Sequence, residues 1–394
     1  MDDLPTELER LQAGHLLRTR RVRSSAQEIE PVIDGKKVLS FCSNDYLGLA
    51  SHPRITERLV RTASESGVGS GASHLITGHH TSHHALEEEL AEFMGCERAL
   101  LFSTGYMANL GVVGAFAGRT SVVFEDRLNH ASLIDAAVLA RARLKRYRHL
   151  NTEELQQKLE AVSGHPGLIA SDGVFSMDGT VCPVKRLQEI ARACSARLVI
   201  DDAHGIGVLG PHGKGCTEGR LEKDTLVVGT LGKAFGTFGA FVAGPGDSIE
   251  WCVQRARSYA YTTALPPPLA DAARAALQLI REEPWRRERL QALVGYFRKC
   301  AAEQALPVTA SVTPIQPVMT GSADAALRLS QTLHEHGILV PAIRPPTVAR
   351  GQARLRVTFS AMHTETHIDR LIETLAKALQ PTRTHHDETS HSAT

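Results

Sequence analysis

The sequence predicts an α/β fold, with a large domain on a mostly parallel sheet followed by a smaller α+β domain. Two observations carry that expectation. Short, continuously apolar runs bounded by Gly, Asp or Ser recur at 99–102, 121–126, 168–173, 197–201, 225–229 and 240–244. Between them lie stretches with helical periodicity, such as "TEELQQKLEAV" and "VKRLQEIARAC". Strands buried on both faces and joined by helices form parallel sheets. In such sheets a ligand binds beyond the carboxyl ends of the strands.

In chain order, residues 1–50 read as an N-terminal segment and 51–280 as the large domain, closed near the prolines at 266–268. Residues 281–380 read as the small domain. It has a strand in "PIQPVMTG", a helix in "DAALRLSQTLHEHG", strands "ILVPAI" and "ARLRVTFSA", and a last helix in "TETHIDRLIETLAKAL". The tail 381–394 is polar and aperiodic, and is expected to be disordered. The uncharged stretch 99–118 has the length of a membrane span. Ser103, Thr104, Gly105 and Asn109 interrupt it, so it reads as a buried strand, a turn and a buried helix.

The composition narrows the function. Among 394 residues, Lys plus Arg is 44 and Asp plus Glu is 43, a formal charge of +1. That is not the basic excess of a nucleic-acid or membrane-surface binder. Local basic clusters remain, and one, "RTRRVR" (18–23), reads either as a solvated helix face or as a guide for an anionic carrier. The 7 cysteines form no C-x-x-C pair, which argues against a disulfide framework or a zinc site. With no apolar stretch typical of a signal peptide near Met1, a cytoplasmic enzyme is expected.

The candidate chemistry centres on Lys233, set in "GTLGKAFGTFGA" (229–240) just after a strand. This is no phosphate-binding P-loop: Val227 stands where its first glycine belongs, and Ala234 follows the lysine. A desolvated lysine loses its proton more readily. Its neutral amine can then form a Schiff base with a carbonyl cofactor such as pyridoxal 5′-phosphate, PLP. Each successive strand end offers a matching partner. Gly105 and Tyr106 open a helix, and helix N-termini attract phosphate. His130 offers a flat ring, Ser176 and Thr230 offer hydroxyls, and Asp201 and His204 offer partners for the ring nitrogen and the phenolic oxygen.

These residues lie in motifs that together resemble the α-oxoamine synthase family over roughly residues 15–380. The motifs include "SNDYLGL" (43–49), "GSGASHLITG" (69–78), "FSTGYMAN" (102–109), "NHASLIDA" (129–136), "DGVFSMDG" (172–179), "IDDAHGIGVLG" (200–210) and "YTTALPP" (261–267). The resemblance implies a fold-type I, aspartate aminotransferase-like PLP transferase that joins an amino acid to an acyl thioester and releases CO2. It implies that Lys233 carries the cofactor and acts at Cα, with Asp201, His204 and His130 completing the catalytic set. Gly105, Tyr106, Ser176 and Thr230 would hold the cofactor. Thr262 and Thr263 would reach it from the other subunit of a homodimer. Arg356, Asn44, His130, Arg18 and Thr347 would bind substrate.

"DDAHG" and "IRPPTVARGQARLRVT" (343–358) resemble the family member that uses L-alanine and a pimeloyl thioester in the biotin pathway. The carrier, coenzyme A or acyl carrier protein, is left open. Asp172 stands where the family often has Glu, and Ala349 where a proline is usual. The readings kept beside it are a glycine- or serine-using member (glycine C-acetyltransferase, 5-aminolevulinate synthase or serine palmitoyltransferase type) and a non-catalytic PLP-binding protein.

Two further expectations rest on spacing. In a strand at 353–359, Arg354, Arg356 and Thr358 share one face and Leu355, Val357 and Phe359 the other, so one arginine is placed to clamp a carboxylate. Spacing does not choose between Arg354 and Arg356; the resemblance selects Arg356. In "GHHTSHHALEEE", His80 and His84 have i, i+4 spacing but do not form H-E-x-x-H and have no convincing third ligand, so no metal is expected.

Overall fold

The computed structural model describes residues 3–162 and 167–379; the expected disordered tail, 381–394, lies outside them. The large sheet uses β1 (Arg98–Phe102), β2 (Val122–Asp126), β3 (Arg143–Tyr147), β4 (Gly167–Asp172), β5 (Arg197–Asp201), β6 (Thr225–Thr230) and β7 (Ala240–Gly244). It is 7-stranded, in the order β1-β7-β6-β5-β4-β2-β3. Only β7 runs antiparallel to its neighbours. Of its inner strands, β2 and β7 are buried along their whole length and β5 at all but Arg197, as continuous apolar runs require. One strand was not legible. The β3 segment, "RLKRY", lies at the sheet edge with most residues partly exposed, so no apolar run announces it.

Helices cover both faces. The stretch 99–118 resolves into β1 and a helix, α1 (Gly105–Phe116), as the interrupted apolar pattern predicts. Among the described residues no helix is long and apolar enough to cross a membrane. The proline cluster opens a helix, Pro267–Glu282, with proline in its first turn, where the missing N–H costs no hydrogen bond.

A 3-stranded sheet made of β8 (Ile315–Gly321), β9 (Ala342–Ile343) and β10 (Ala353–Thr358) carries the C-terminal part. "ILVPAI" is not one strand. It splits around Pro341: Ile338–Leu339 pairs with Leu39–Ser40, and Ala342–Ile343 pairs with β10. Proline has no N–H to continue a ladder, and here its carbonyl accepts from Arg356 N. The first pairing ties the N-terminal segment to the C-terminal sheet. Thr358 N donates to Phe41 O and Ala361 N to Tyr46 O, so "SNDYLGL" is laid beside the end of β10.

Candidate active site

The carboxyl ends of β1, β2, β4, β5 and β6 converge on one cavity of ≈ 210 Å³. Size alone would not select it, since a cavity of ≈ 420 Å³ lies near Val208 and Arg287. Its lining does. Gly105, Tyr106, His130, Ser176, Asp201, His204, Thr230 and Lys233 all face it, with Ser132 and Asp172 beside them. Residues far apart in sequence are brought together because each follows a strand of one sheet.

Lys233 sits in the connection between the antiparallel pair β6 and β7. Leu231 N donates to Gly239 O and Gly236 N to Lys233 O. Gly236 has φ +66, and an added Cβ would lie 2.4 Å from the Ala50 amide nitrogen, so the tight return needs glycine there. The glycine-rich, apolar surroundings seen in sequence are not what the amine meets in space. Its Nζ lies 2.8 Å from His204 Nε2, near acidic Asp201 and Asp172. Burial lowers its pKa to about 8, while Asp201 acts in the opposite direction.

Each ring histidine is oriented by a hydroxyl. His130 caps the helix Ala131–Leu139, its Nδ1 accepting from Ser132 N at 3.3 Å and lying 2.7 Å from Ser132 Oγ. Asn109, on the buried side of α1, donates to Ser132 Oγ at 2.8 Å and to Asp201 Oδ2 at 2.6 Å. Ala203 N donates to the other Asp201 oxygen at 3.1 Å. Asp172 accepts from His130 N through both oxygens, at 3.1 and 3.2 Å. His204 is oriented by Tyr46, whose hydroxyl lies 2.7 Å from Nδ1. Burial, reinforced by the charge of Lys233, holds His204 well below its ordinary pKa of 6.5. His130 is lowered by burial and pulled back by Asp201.

The two arginines of β10 separate cleanly. Both are buried, at 4% and 5% exposure, so the strand is not a solvated basic one. Arg354 is bound to a carboxylate already, with Nη1 2.5 Å from Asp178 Oδ1. Arg356 has no carboxylate partner among the described residues. It donates to Ser176 O at 2.5 Å and to Asn44 Oδ1 at 3.2 Å, beside the cavity. Arg18 and Thr347 meet at the surface, 3.2 Å apart, and Arg344 holds the adjacent chain through Leu17 O at 2.8 Å. Thr262 and Thr263 do not line the cavity of their own chain.

The profile of the class I and II aminotransferase family matches residues 36–375. The 8-amino-7-oxononanoate synthase of Thioalkalivibrio sulfidiphilus is 54% identical over 385 residues, 96% of this chain and 98% of that protein. The corresponding protein of Methylococcus capsulatus is 54% identical over 381 residues, covering 96% and 98%. The chain belongs to the 8-amino-7-oxononanoate synthase family. Solved structures agree. The Francisella tularensis 8-amino-7-oxononanoate synthase is 32% identical with a TM-score of 0.76, covering 86% of this chain and 97% of that one. A serine palmitoyltransferase from S. paucimobilis, solved with bound PLP and myriocin, is 29% identical with a TM-score of 0.90, covering 96% of each chain. The fold is thus the PLP-dependent fold-type I architecture expected from the motifs.

The cavity fits PLP by its donor set. An amine, a carboxylate held from behind, an imidazole face and several hydroxyls converge there. The amides of Gly105 and Tyr106 lie in the first turn of α1, which has no partners within the helix. An added Cβ at Gly105 would meet nothing within 4 Å, so the backbone is open to a ligand.

Sequence reasoning did not single out Tyr46, Asn109, Ser132 or Asp172 as site residues, although all lie inside family motifs. Their positions along the chain give no sign that they bond the groups lining this cavity. The histidine motif is also corrected in detail. His80 caps the helix Thr81–Met94 rather than pairing with His84. The groups that come together are His74, His79 and His83, and His79, His84 and Glu87. In the first, His83 has both nitrogens engaged, by His80 N and Leu265 O. Neither group lines the Lys233 cavity.

Proposed function

We propose that this chain condenses L-alanine with a pimeloyl thioester, releasing CO2 and the thiol carrier, to give 8-amino-7-oxononanoate for biotin synthesis. One observation carries the reading: full-length similarity at 54% identity to proteins of that name. The cavity supplies the groups such a reaction needs.

PLP bound here would supply the electron sink that makes loss of the alanine Cα proton, and then of CO2, feasible, with the Lys233 amine freed from the cofactor to act as base. The protein does the rest. Asp201 presents a carboxylate for the ring nitrogen, fixed by Asn109 and Ala203 N. His204 presents Nε2 on the side of the phenolic oxygen, and His130 covers the ring. Gly105, Tyr106, Ser176 and Thr230 hold the cofactor, partly through its phosphate. Lys233, near neutrality in its proton affinity, takes the Cα proton and returns it. Arg356 receives the alanine carboxylate by a bidentate pair, with Asn44 fixing its plane. Arg18 and Thr347 contact the thioester substrate, and the basic run around Arg18 suits an anionic carrier such as coenzyme A or acyl carrier protein.

A homodimer fits the exposed surface. Ser70 Oγ donates to Leu265 O at 2.7 Å, and Ala264 N to Ala72 O at 2.9 Å, joining two motif segments. Around them Val68, Ile76 and Tyr261 are 79%, 75% and 75% exposed. Large apolar side chains left this open mark an association surface. It would carry Thr262 and Thr263 to a second copy's phosphate site.

The test is a product assay by mass. L-alanine, glycine and serine are each offered with pimeloyl, acetyl, succinyl and palmitoyl thioesters. Preferred formation of 8-amino-7-oxononanoate supports the reading. Preference for glycine or serine with another thioester, or no product from a protein that binds PLP, overturns it.

A further inference from the structure

Tyr46 does not line the cavity but touches His204, which does. It is fully buried. Its hydroxyl lies 2.7 Å from His204 Nδ1 and donates to Asn44 Oδ1 at 3.2 Å. On either side the network continues. His204 Nε2 lies 2.8 Å from Lys233 Nζ, and Arg356 Nη1 donates to Asn44 Oδ1 at 3.2 Å.

The donor at each end of the network decides the direction of these bonds. Asn44 Oδ1 can only accept, and Arg356 donates to it. The Tyr46 proton has two acceptors in reach, Asn44 Oδ1 at 3.2 Å and His204 Nδ1 at 2.7 Å. Below about pH 8 the Lys233 ammonium can only donate, so His204 Nε2 accepts from it. Nδ1 then carries the ring hydrogen and donates to the Tyr46 oxygen, and the Tyr46 proton goes to Asn44. A buried, neutral His204 has one ring proton only, so Nε2 is left as a bare lone pair facing Lys233. Burial also raises the Tyr46 phenol, which keeps its proton throughout the working range. The opposite tautomer, with Nε2 protonated, would require the Tyr46 hydroxyl to turn from Asn44 to His204.

We propose that Tyr46 is a positioning residue that selects the Nδ1–H tautomer of His204 in the cofactor-free protein, so that Nε2 accepts from Lys233. It thereby links the carboxylate-binding side of the site, through Asn44, to the proton state of the lysine. This rests on the reading of Lys233 and His204 as the PLP site. The contrast with His130 supports it. There Ser132 N donates to Nδ1, which leaves the hydrogen on Nε2. Two histidines of one cavity are thus held in opposite tautomers by the residue behind each.

The test uses cofactor-free protein labelled with 15N-histidine. Long-range 1H–15N spectra report the tautomer, and His204→Gln identifies the signals. The wild type should show His204 with Nδ1 protonated. Tyr46→Phe keeps the ring and removes the hydroxyl. It should move His204 toward the Nε2–H form and shift the pH midpoint for reductive methylation of Lys233 by about half a unit. A wild-type His204 found as Nε2–H overturns the proposal, even if Tyr46→Phe fails to fold. So does a folded variant with unchanged tautomer and midpoint. The NMR and labelling results stand without turnover. A wild type that shows them but makes no 8-amino-7-oxononanoate defeats the assigned reaction, not the role of Tyr46.

Discussion

Asp172 and Asp201 are paired across β4 and β5, Cα partner to Cα partner, at the ends of two adjacent parallel strands. Two carboxyl groups thus open onto one cavity, where like charges disfavour each other. The environments differ. Asp201 is held by Asn109 and Ala203 N, whereas among the described residues the Asp172 carboxyl accepts only from the His130 amide. Burial, and then the charge of Asp201, push Asp172 well above the ordinary carboxylate range.

A neutral Asp172 has a neutral isostere. Asp172→Asn should keep the acceptor for His130 N and lower kcat/KM by less than about 10-fold. Asp172→Leu leaves that buried amide unpaired and should cost ~1–3 kcal/mol in urea unfolding. An asparagine variant as damaged as the leucine variant would show that the charge, not the acceptor, matters.

Removing the amine of Lys233 should be far more severe. Lys233→Ala should lower turnover by a factor on the order of 10³ or more and remove the visible absorbance of lysine-bound cofactor. The same amine sets a pH dependence. Because burial lowers Lys233 to about 8, its nucleophilic form grows as pH rises through 8 rather than 10.5. Stopped-flow mixing of cofactor-free protein with PLP should show that midpoint; a rate still climbing steeply above pH 9.5 would contradict it.

Arg356 and Arg354 should fail in different ways. Arg356→Lys loses bidentate recognition, and KM for L-alanine should rise by about 10-fold or more with little change in thermal midpoint. Arg354→Ala strips Asp178 of its partner and should destabilise the fold by roughly 3 kcal/mol. Calorimetry and steady-state kinetics on both variants check the contrast, and equal loss of stability would refute it.

His363 should make the fold sensitive to acid. It is buried, stacks on Phe41 with centroids 4.5 Å apart, and bonds Ser360 N and Ser40 O. Burial lowers it to about 4 from 6.5. The unfolded chain therefore takes up a proton between pH 6.5 and 4 that the folded chain refuses. The stability of the neutral ring is complete above pH 6.5 and is lost as pH falls toward 4, by about 3 kcal/mol over that window. His363→Gln should flatten this slope in urea titrations; parallel slopes for the two proteins would disprove it.

The sequence by itself determined which segments enter the sheet and which residues stand at its carboxyl edge. Continuous apolar runs have no alternative to burial on both faces, and the residue after such a run can only emerge at an edge. For that reason Gly105, His130, Ser176, Asp201, His204 and Lys233 are legible as one edge from the sequence alone. What only the tertiary structure decided was which partner stands behind each group. Spacing cannot tell Arg354 from Arg356 on their shared face of β10, and the approach of Asp178 to Arg354 leaves Arg356 without a carboxylate among the described residues. Tyr46 meets His204 with its own carbonyl accepting from Ala361 N, a contact between chain regions some three hundred residues apart. Hydrophobic patterning is local and can be read along a strand, whereas hydrogen-bond direction and charge pairing depend on what the finished fold packs alongside.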